Sequence, residues 1–314
     1  LQDVRRPPQS GFRMFNKLVV AALPLIPKPI IRRVSMKYIA GDHLQDAIET
    51  AKALNATEGA RATIDVLGEF VESRDQAKTE MKHCRSVLEG IVANDLVGTA
   101  GLSIKPTSLG LGIDFDFAYA HIRELAGMAR ERGIFMRIYM ENTPYTDDTL
   151  KVYRRLRDEG FDNIGVVFQA MLRRTSQDIA DLAGYKPDIR LCKGIYREAE
   201  DVAYQGREEV RDNFKMLLRQ IVEGGMHAAI ATHDDPLIDD ALALIAEKGL
   251  GPADYEFQML LGVREPKRRE ILEAGHGLRV YVPFGEDWYG YSSRRLKENP
   301  AMAGMIAKAV LLGR

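Results

Sequence analysis

Residues 164–194 read IGVVFQAMLRRTSQDIADLAGYKPDIRLCKG, and this stretch decides the fold. IGVVFQ (164–169) is a short run of β-branched and aromatic residues of strand length. Residues 175–184 then place Ile179, Leu182 and Ala183 on one helical face. IRLCKG (189–194) returns to the strand pattern. Two strands with a helix between them form a β–α–β unit, which makes the strands parallel.

Working outward, the alternation continues from residue 60 to the end of the chain. The other strand expectations are ATIDVLGE (62–69), GLSIKPT (101–107), IFMRIYME (134–141), AAIATH (228–233), YEFQMLLG (255–262) and LRVYVPFG (278–285). Helices are expected near 75–93, 114–132, 146–159, 175–184, 198–224, 235–248, 264–274 and 286–299. Gly133, Gly160, Gly249 and Gly275 stand where C-terminal caps belong. Eight β–α units in about 250 residues match a closed (β/α)8 barrel. An open doubly wound sheet is the alternative. Residues 1–58 are expected to form a helical N-terminal arm, with a periodic helix near 44–56, and residues 59–314 the barrel.

The 314 residues are 46% hydrophobic and 28% charged, enough for a large buried core. Residues 1–40 hold eight Lys or Arg against Asp3 alone; with a net charge of −1 overall, the rest carries −8. A basic start can touch anionic lipid or nucleic acid, or pack on the acidic body. A nucleic-acid partner is not expected. Cys84 and Cys192 have neither metal spacing nor a disulfide framework, which fits a reducing compartment. LVVAALPLIP (18–27) is too short to span a bilayer and is broken by Pro24 and Pro27. There is no Walker motif, and SLGLGID (108–114) is only a GxG. The six histidines lack HExxH, so no catalytic metal is expected.

In such a barrel, function sits at the C-terminal ends of the strands. The polar residues expected there are Lys105; Arg137, Tyr139 and Glu141, on one side of strand three by alternation; Gln169; Arg190, Lys193 and Gly194; Thr232, His233 and Asp234; Glu256 and Gln258; and Tyr281. Any one of these has a structural explanation: a lone histidine is usually satisfied in the core, and Glu69 or Glu256 can balance an arginine. A whole rim of them is harder to explain as packing, since burying a polar group unpaired costs about 1–3 kcal/mol. A rim rich in cations expects an anion. YSSRRLKEN (291–299) sets Tyr291, Arg294, Arg295 and Glu298 at i, i+3, i+4 and i+7, all on one helical face. That face is either solvated, with an ion pair worth roughly 0.2–0.5 kcal/mol, or a two-guanidinium clamp on a carboxylate.

The stretches SIKPTSLG, RIYMENTPYTD, VVFQAML, IRLCKGIYRE, ATHDD, YEFQMLLG and RVYVPFGEDWYGYSSRRLKEN, in this order, resemble the proline dehydrogenase family over roughly residues 40–300. The resemblance implies a distorted (β/α)8 barrel with its last helix across the mouth and FAD bound without a Rossmann domain. It also implies oxidation of L-proline to Δ1-pyrroline-5-carboxylate by hydride transfer to FAD, with electrons passed to a membrane quinone. By resemblance, Arg294 and Arg295 bind the proline carboxylate and Glu298 positions them. Tyr281 and Tyr291 wall the ring, Lys105 lies at the substrate, and Arg190 lies near flavin N5. Gln169, Lys193, Gly194, Ile195, Thr232 and His233 contact FAD, and Met140 packs on its ring system.

Tyr139 departs from the family, which usually carries an aspartate there. Either Glu141 supplies the missing charge, or the activity is altered. Two other readings stand beside the flavoenzyme: a Schiff-base aldolase using Lys105 or Lys193, and a barrel impaired by Tyr139. Since quinone lives in the bilayer, a cytoplasmic protein touching the inner membrane face is expected, through segment 12–37 or 301–313.

Overall fold

The computed structural model describes residues 28–292. Eight parallel strands close into a barrel in chain order. They are β1 (Arg61–Val66), β2 (Ala100–Ile104), β3 (Met136–Ile138), β4 (Ile164–Gln169), β5 (Asp188–Cys192), β6 (His227–Ala231), β7 (Tyr255–Leu260) and β8 (Leu278–Phe284). The closing pair runs from Arg61 beside Arg279 to Val66 beside Phe284.

Helices α3 (Arg74–Ala93), α4 (Phe115–Glu131), α5 (Thr146–Asp158), α6 (Thr175–Leu182), α7 (Arg207–Glu223), α8 (Asp235–Lys248) and α9 (Glu265–Glu273) follow the first seven strands. The longer ones bury an apolar stripe, as Leu217, Leu218 and Ile221 of α7 do. The four expected cap glycines all have positive φ, from 61° at Gly249 to 86° at Gly275.

Two helices precede the barrel. In α2 (Leu44–Glu58), Ala47, Ile48, Ala51 and Leu54 join the barrel's own hydrophobic core. Helix α1 (Lys28–Ser35) lies at the C-terminal ends of the strands. Ile31 packs with Tyr281 and Tyr291, and the Ala40 N–H donates to Pro283 O at 2.9 Å. At the far end of the described chain, residues 288–292 are helical, and Tyr291 is buried in this cluster.

Two elements differ from expectation. The helix expected over 198–224 starts at Arg207, because Gly206 opens the chain there and Glu209 reaches back to accept from the Gly206 N–H at 2.8 Å. Residues 198–206 instead form a loop, tied down by a bridge between Leu172 and Ala203. The third strand is only three residues long. Asn142 and Pro144 turn the chain into a short 3-10 helix just beyond it.

Inside the barrel, small residues face large ones. A side chain at Gly165 would meet the Arg137 guanidinium at 2.2 Å, so its glycine lets that arginine cross the interior.

Candidate active site

A cavity of about 900 Å³ opens at the C-terminal ends of the strands. Among the described residues, those that the resemblance assigned to substrate or cofactor, together with Tyr139, all line it: Lys105, Tyr139, Met140, Gln169, Arg190, Lys193, Gly194, Ile195, Thr232, His233, Tyr281 and Tyr291. Arg294, Arg295 and Glu298 lie outside the described residues.

The organising group is one the sequence reading passed over. Asp65, buried at 1% exposure in β1, accepts from Lys105 Nζ at 2.5 Å, from the Tyr281 hydroxyl at 2.7 Å and from the Ser103 hydroxyl at 2.7 Å. Burial works against the Lys105 charge, but the Asp65 carboxylate outweighs it and pushes the ammonium above its usual range. Burial, then Asp65, pushes the Tyr281 phenol up, so it stays a hydrogen-bond donor. An isolated aspartate inside the apolar run ATIDVL was the available signal, because a buried carboxylate demands partners.

Aromatic rings continue from this cluster. Tyr281 stacks on Tyr139, with centroids 6.0 Å apart, and meets Tyr291 at 6.1 Å. The Arg190 guanidinium lies 5.2 Å from the Tyr139 ring centre. Burial pushes the Tyr139 phenol up, so the position carries no negative charge near neutral pH. Glu141, the other candidate for that charge, lines the same cavity. It accepts from the Thr107 N–H at 2.8 Å and from the Thr107 hydroxyl. Burial pushes its carboxyl up to about 7.

Gln169 donates from Nε2 to the carbonyls of Met140 at 3.1 Å and Glu141 at 2.9 Å. Its Oε1 is buried and has no hydrogen-bond partner. The Leu260 N–H donates to His233 Nε2 at 3.0 Å, which puts the neutral ring's proton on Nδ1. Lys193 and Arg211 converge on Asp234 at 2.9 and 2.6 Å, and Arg207 approaches within 3.9 Å. Burial opposes ionisation of Asp234, yet the hydrogen bonds from Arg211 and Lys193 hold it at about 2.

Two residues expected on the rim lie deeper. Arg137 bonds Asp188, the first residue of β5, at 2.7 Å. Glu256 bonds Arg279 at 2.7 Å near the starts of β7 and β8. Alternation told which way they pointed but not their height in the barrel, which strand stagger decides.

The family model described as proline dehydrogenase matches residues 47–308. The chain is 36% identical over 275 residues to proline dehydrogenase 1 of Bacillus subtilis (strain 168), covering 88% of this chain and 90% of that one. It is 35% identical over 282 residues to the proline dehydrogenase of Deinococcus radiodurans, covering 88% and 90%. Among solved structures, proline utilization A from Bdellovibrio bacteriovorus, inactivated by N-propargylglycine, superposes with a TM-score of 0.81 at 21% identity. That match covers 94% of this chain and 39% of the longer one, and it concerns the fold.

Proposed function

The chain belongs to the proline dehydrogenase family, and from that premise we propose that it oxidises L-proline to Δ1-pyrroline-5-carboxylate, with FAD as hydride acceptor and a quinone taking the electrons onward. The observation that carries this reading is the Asp65–Lys105–Tyr281 cluster, joined through the Tyr139 ring to Arg190 in one cavity.

Lys105, kept charged by Asp65, supplies a fixed cation for the substrate carboxylate. Arg294 and Arg295 complete the clamp in this proposal, with Glu298 positioning them. Tyr139, Tyr281 and Tyr291 offer apolar faces to a small saturated ring. Proline loses a hydride from C5 only as the free amine. The charges of Arg190 and Lys105 disfavour a second cation beside them and so favour that form. Loss of the hydride leaves a C=N bond within the ring.

The residues present fit FAD. The unpartnered Gln169 Oε1 suits a ring N–H donor, and Lys193, Arg207 and Arg211 suit a pyrophosphate. Met140, Gly194, Ile195, Thr232 and His233 complete the proposed cofactor contacts. When bound, FAD supplies the two-electron acceptor; Arg190 supplies the positive charge that stabilises the reduced ring system.

The aldolase reading is not favoured. A Schiff-base lysine needs a depressed pKa, and Asp65 pushes Lys105 the other way, while Lys193 is bound to Asp234. Nor is the impaired-barrel reading favoured, because the cluster has its carboxylate in Asp65. We also propose the boundary between N-terminal arm and barrel at residue 58. No helix among the described residues is long and apolar enough to cross a membrane. Contact with an anionic surface, proposed here through segments 12–37 and 301–313, falls mostly on residues outside those described.

The test is direct. Purified protein should carry flavin absorbance that anaerobic L-proline bleaches and a soluble quinone analogue restores. A protein that takes up no flavin and turns over no proline overturns the proposal. Arg294→Met or Arg295→Met should weaken proline binding by roughly 2–4 kcal/mol while FAD stays bound. An unchanged KM removes the clamp. Salt-sensitive sedimentation with anionic vesicles should accompany quinone reduction, and a chain that ignores such vesicles points to a soluble acceptor.

A further inference from the structure

Arg190 reaches the cavity from β5, and its Nε donates to a neutral acceptor, Gln258 Oε1, at 2.8 Å. The amide cannot present its other end. Gln258 Nε2 donates to Glu256 Oε1 at 2.7 Å, which leaves Oε1 turned to Arg190. Glu256 is held in turn by Arg279 Nε at 2.7 Å, and Arg61 Nη1 comes within 3.5 Å. Burial opposes the Glu256 charge, but Arg279 keeps its carboxyl below the usual range. Glu256 and Gln258 are 3% and 7% exposed, so water does not compete for these bonds.

Strand order makes the arrangement possible. Arg190 stands beside Ala229 and Ala229 beside Glu256, and the alanine methyl leaves room for the long side chains on either side to meet. Two residues along from Glu256, alternation turns Gln258 to the same side.

We propose that Gln258 is a positioning residue for Arg190, with Glu256 and Arg279 locking its amide, so that the guanidinium is fixed in orientation and keeps its full charge for the reacting ring of the cofactor. This rests on the role proposed above for Arg190. A carboxylate at 258 would keep an acceptor for Arg190 but lose the donor to Glu256 Oε1, and the negative charge it adds beside the guanidinium weakens stabilisation of the electron-rich reduced ring. An apolar residue would leave a buried N–H without a partner and the guanidinium free to turn. Gln258 does both jobs because it accepts a hydrogen bond while carrying no charge.

The experiment compares the FAD-loaded parent chain with Gln258→Glu, Gln258→Met and Arg190→Met. The readouts are FAD content, flavin midpoint potential, proline affinity and the single-turnover rate of flavin reduction by proline. Both Gln258 variants should lower the midpoint and slow reduction about 10- to 100-fold, with a smaller change in proline affinity. Gln258→Glu keeps volume and the acceptor toward Arg190 while adding charge, and midpoint and rate are read only from variants whose FAD content matches the parent; Gln258→Glu decides the matter if Gln258→Met does not fold. Parent-like midpoints and rates in the Gln258 variants, with both lowered in Arg190→Met, overturn the inference alone. A parent-like midpoint in Arg190→Met overturns the role of Arg190 itself, and the inference with it.

Discussion

The Asp65 carboxylate and the Lys105 ammonium lie 2.5 Å apart, 1% and 9% exposed, with Lys105 lining the cavity. Removing one member of a buried pair leaves the other uncompensated, so Asp65→Asn should destabilise the fold by about 3–5 kcal/mol and raise the proline KM. Because the folded pKa of Lys105 is raised, its contribution is fully present below the ordinary lysine value of about 10.4 and is lost only at higher pH. Denaturant titration at neutral pH measures the effect. Adding Lys105→Met to Asp65→Asn should restore part of the stability without restoring activity; two losses that simply add would show that the pair does not act as a unit.

The proposed role of Tyr139 rests on its ring rather than its hydroxyl. Its phenol stays protonated, and its contacts with Tyr281 and Arg190 are to the aromatic face. Tyr139→Phe should therefore keep proline kinetics close to the parent, whereas Tyr139→Ala removes a stacked pair and a cation–π contact worth roughly 0.5–1.5 kcal/mol each. Steady-state KM for proline in the two variants checks this. A large loss in Tyr139→Phe would mean that the hydroxyl matters.

Local features were the legible ones. IGVVFQ became β4 over Ile164–Gln169 and residues 235–248 became α8 over Asp235–Lys248, because each run is bounded by its own start and stop signals. The cavity-lining residues were legible too, since strand ends can be read from strands. What escaped was pairing at a distance. Asp65 meets Lys105 across 40 residues and Tyr281 across 216, and nothing local in ATIDVL names those partners. Depth in the barrel escaped for the same reason, and it placed Arg137 and Glu256 below the site.

Glu141 gives the chain a pH dependence of known sign. Burial raises its carboxyl from 4.5 to about 7, against the opposing hydrogen bonds from Thr107. Between those values the folded chain keeps a proton that the unfolded chain has lost. Its contribution is thus complete below the unfolded value and disappears as pH rises through about 7. Relative to the parent, Glu141→Gln should gain stability steadily across that window. Denaturation midpoints of both proteins at several pH values test it, and a constant difference would sink the assignment.

Gly262, just past β7, has φ of 71°, and a Cβ there would stand 2.0 Å from the carbonyl oxygen of Lys37. That oxygen is backbone and cannot swing aside. The segment it belongs to carries Tyr38 and Ile39, 4% and 1% exposed, into the cluster with Tyr281 and Tyr291, and Tyr38 lines the cavity. Gly262→Ala should therefore push this segment off the barrel mouth, in addition to a strain of about 1–2 kcal/mol from the left-handed backbone. Trypsin should then cut sooner after Arg32, Arg33 and Lys37, and the proline KM should rise as Tyr38 leaves the cavity wall. The barrel strands should melt almost as before, because their core lies elsewhere. If digestion rate and KM both stay at parent values, residues 36–41 do not form part of the substrate enclosure.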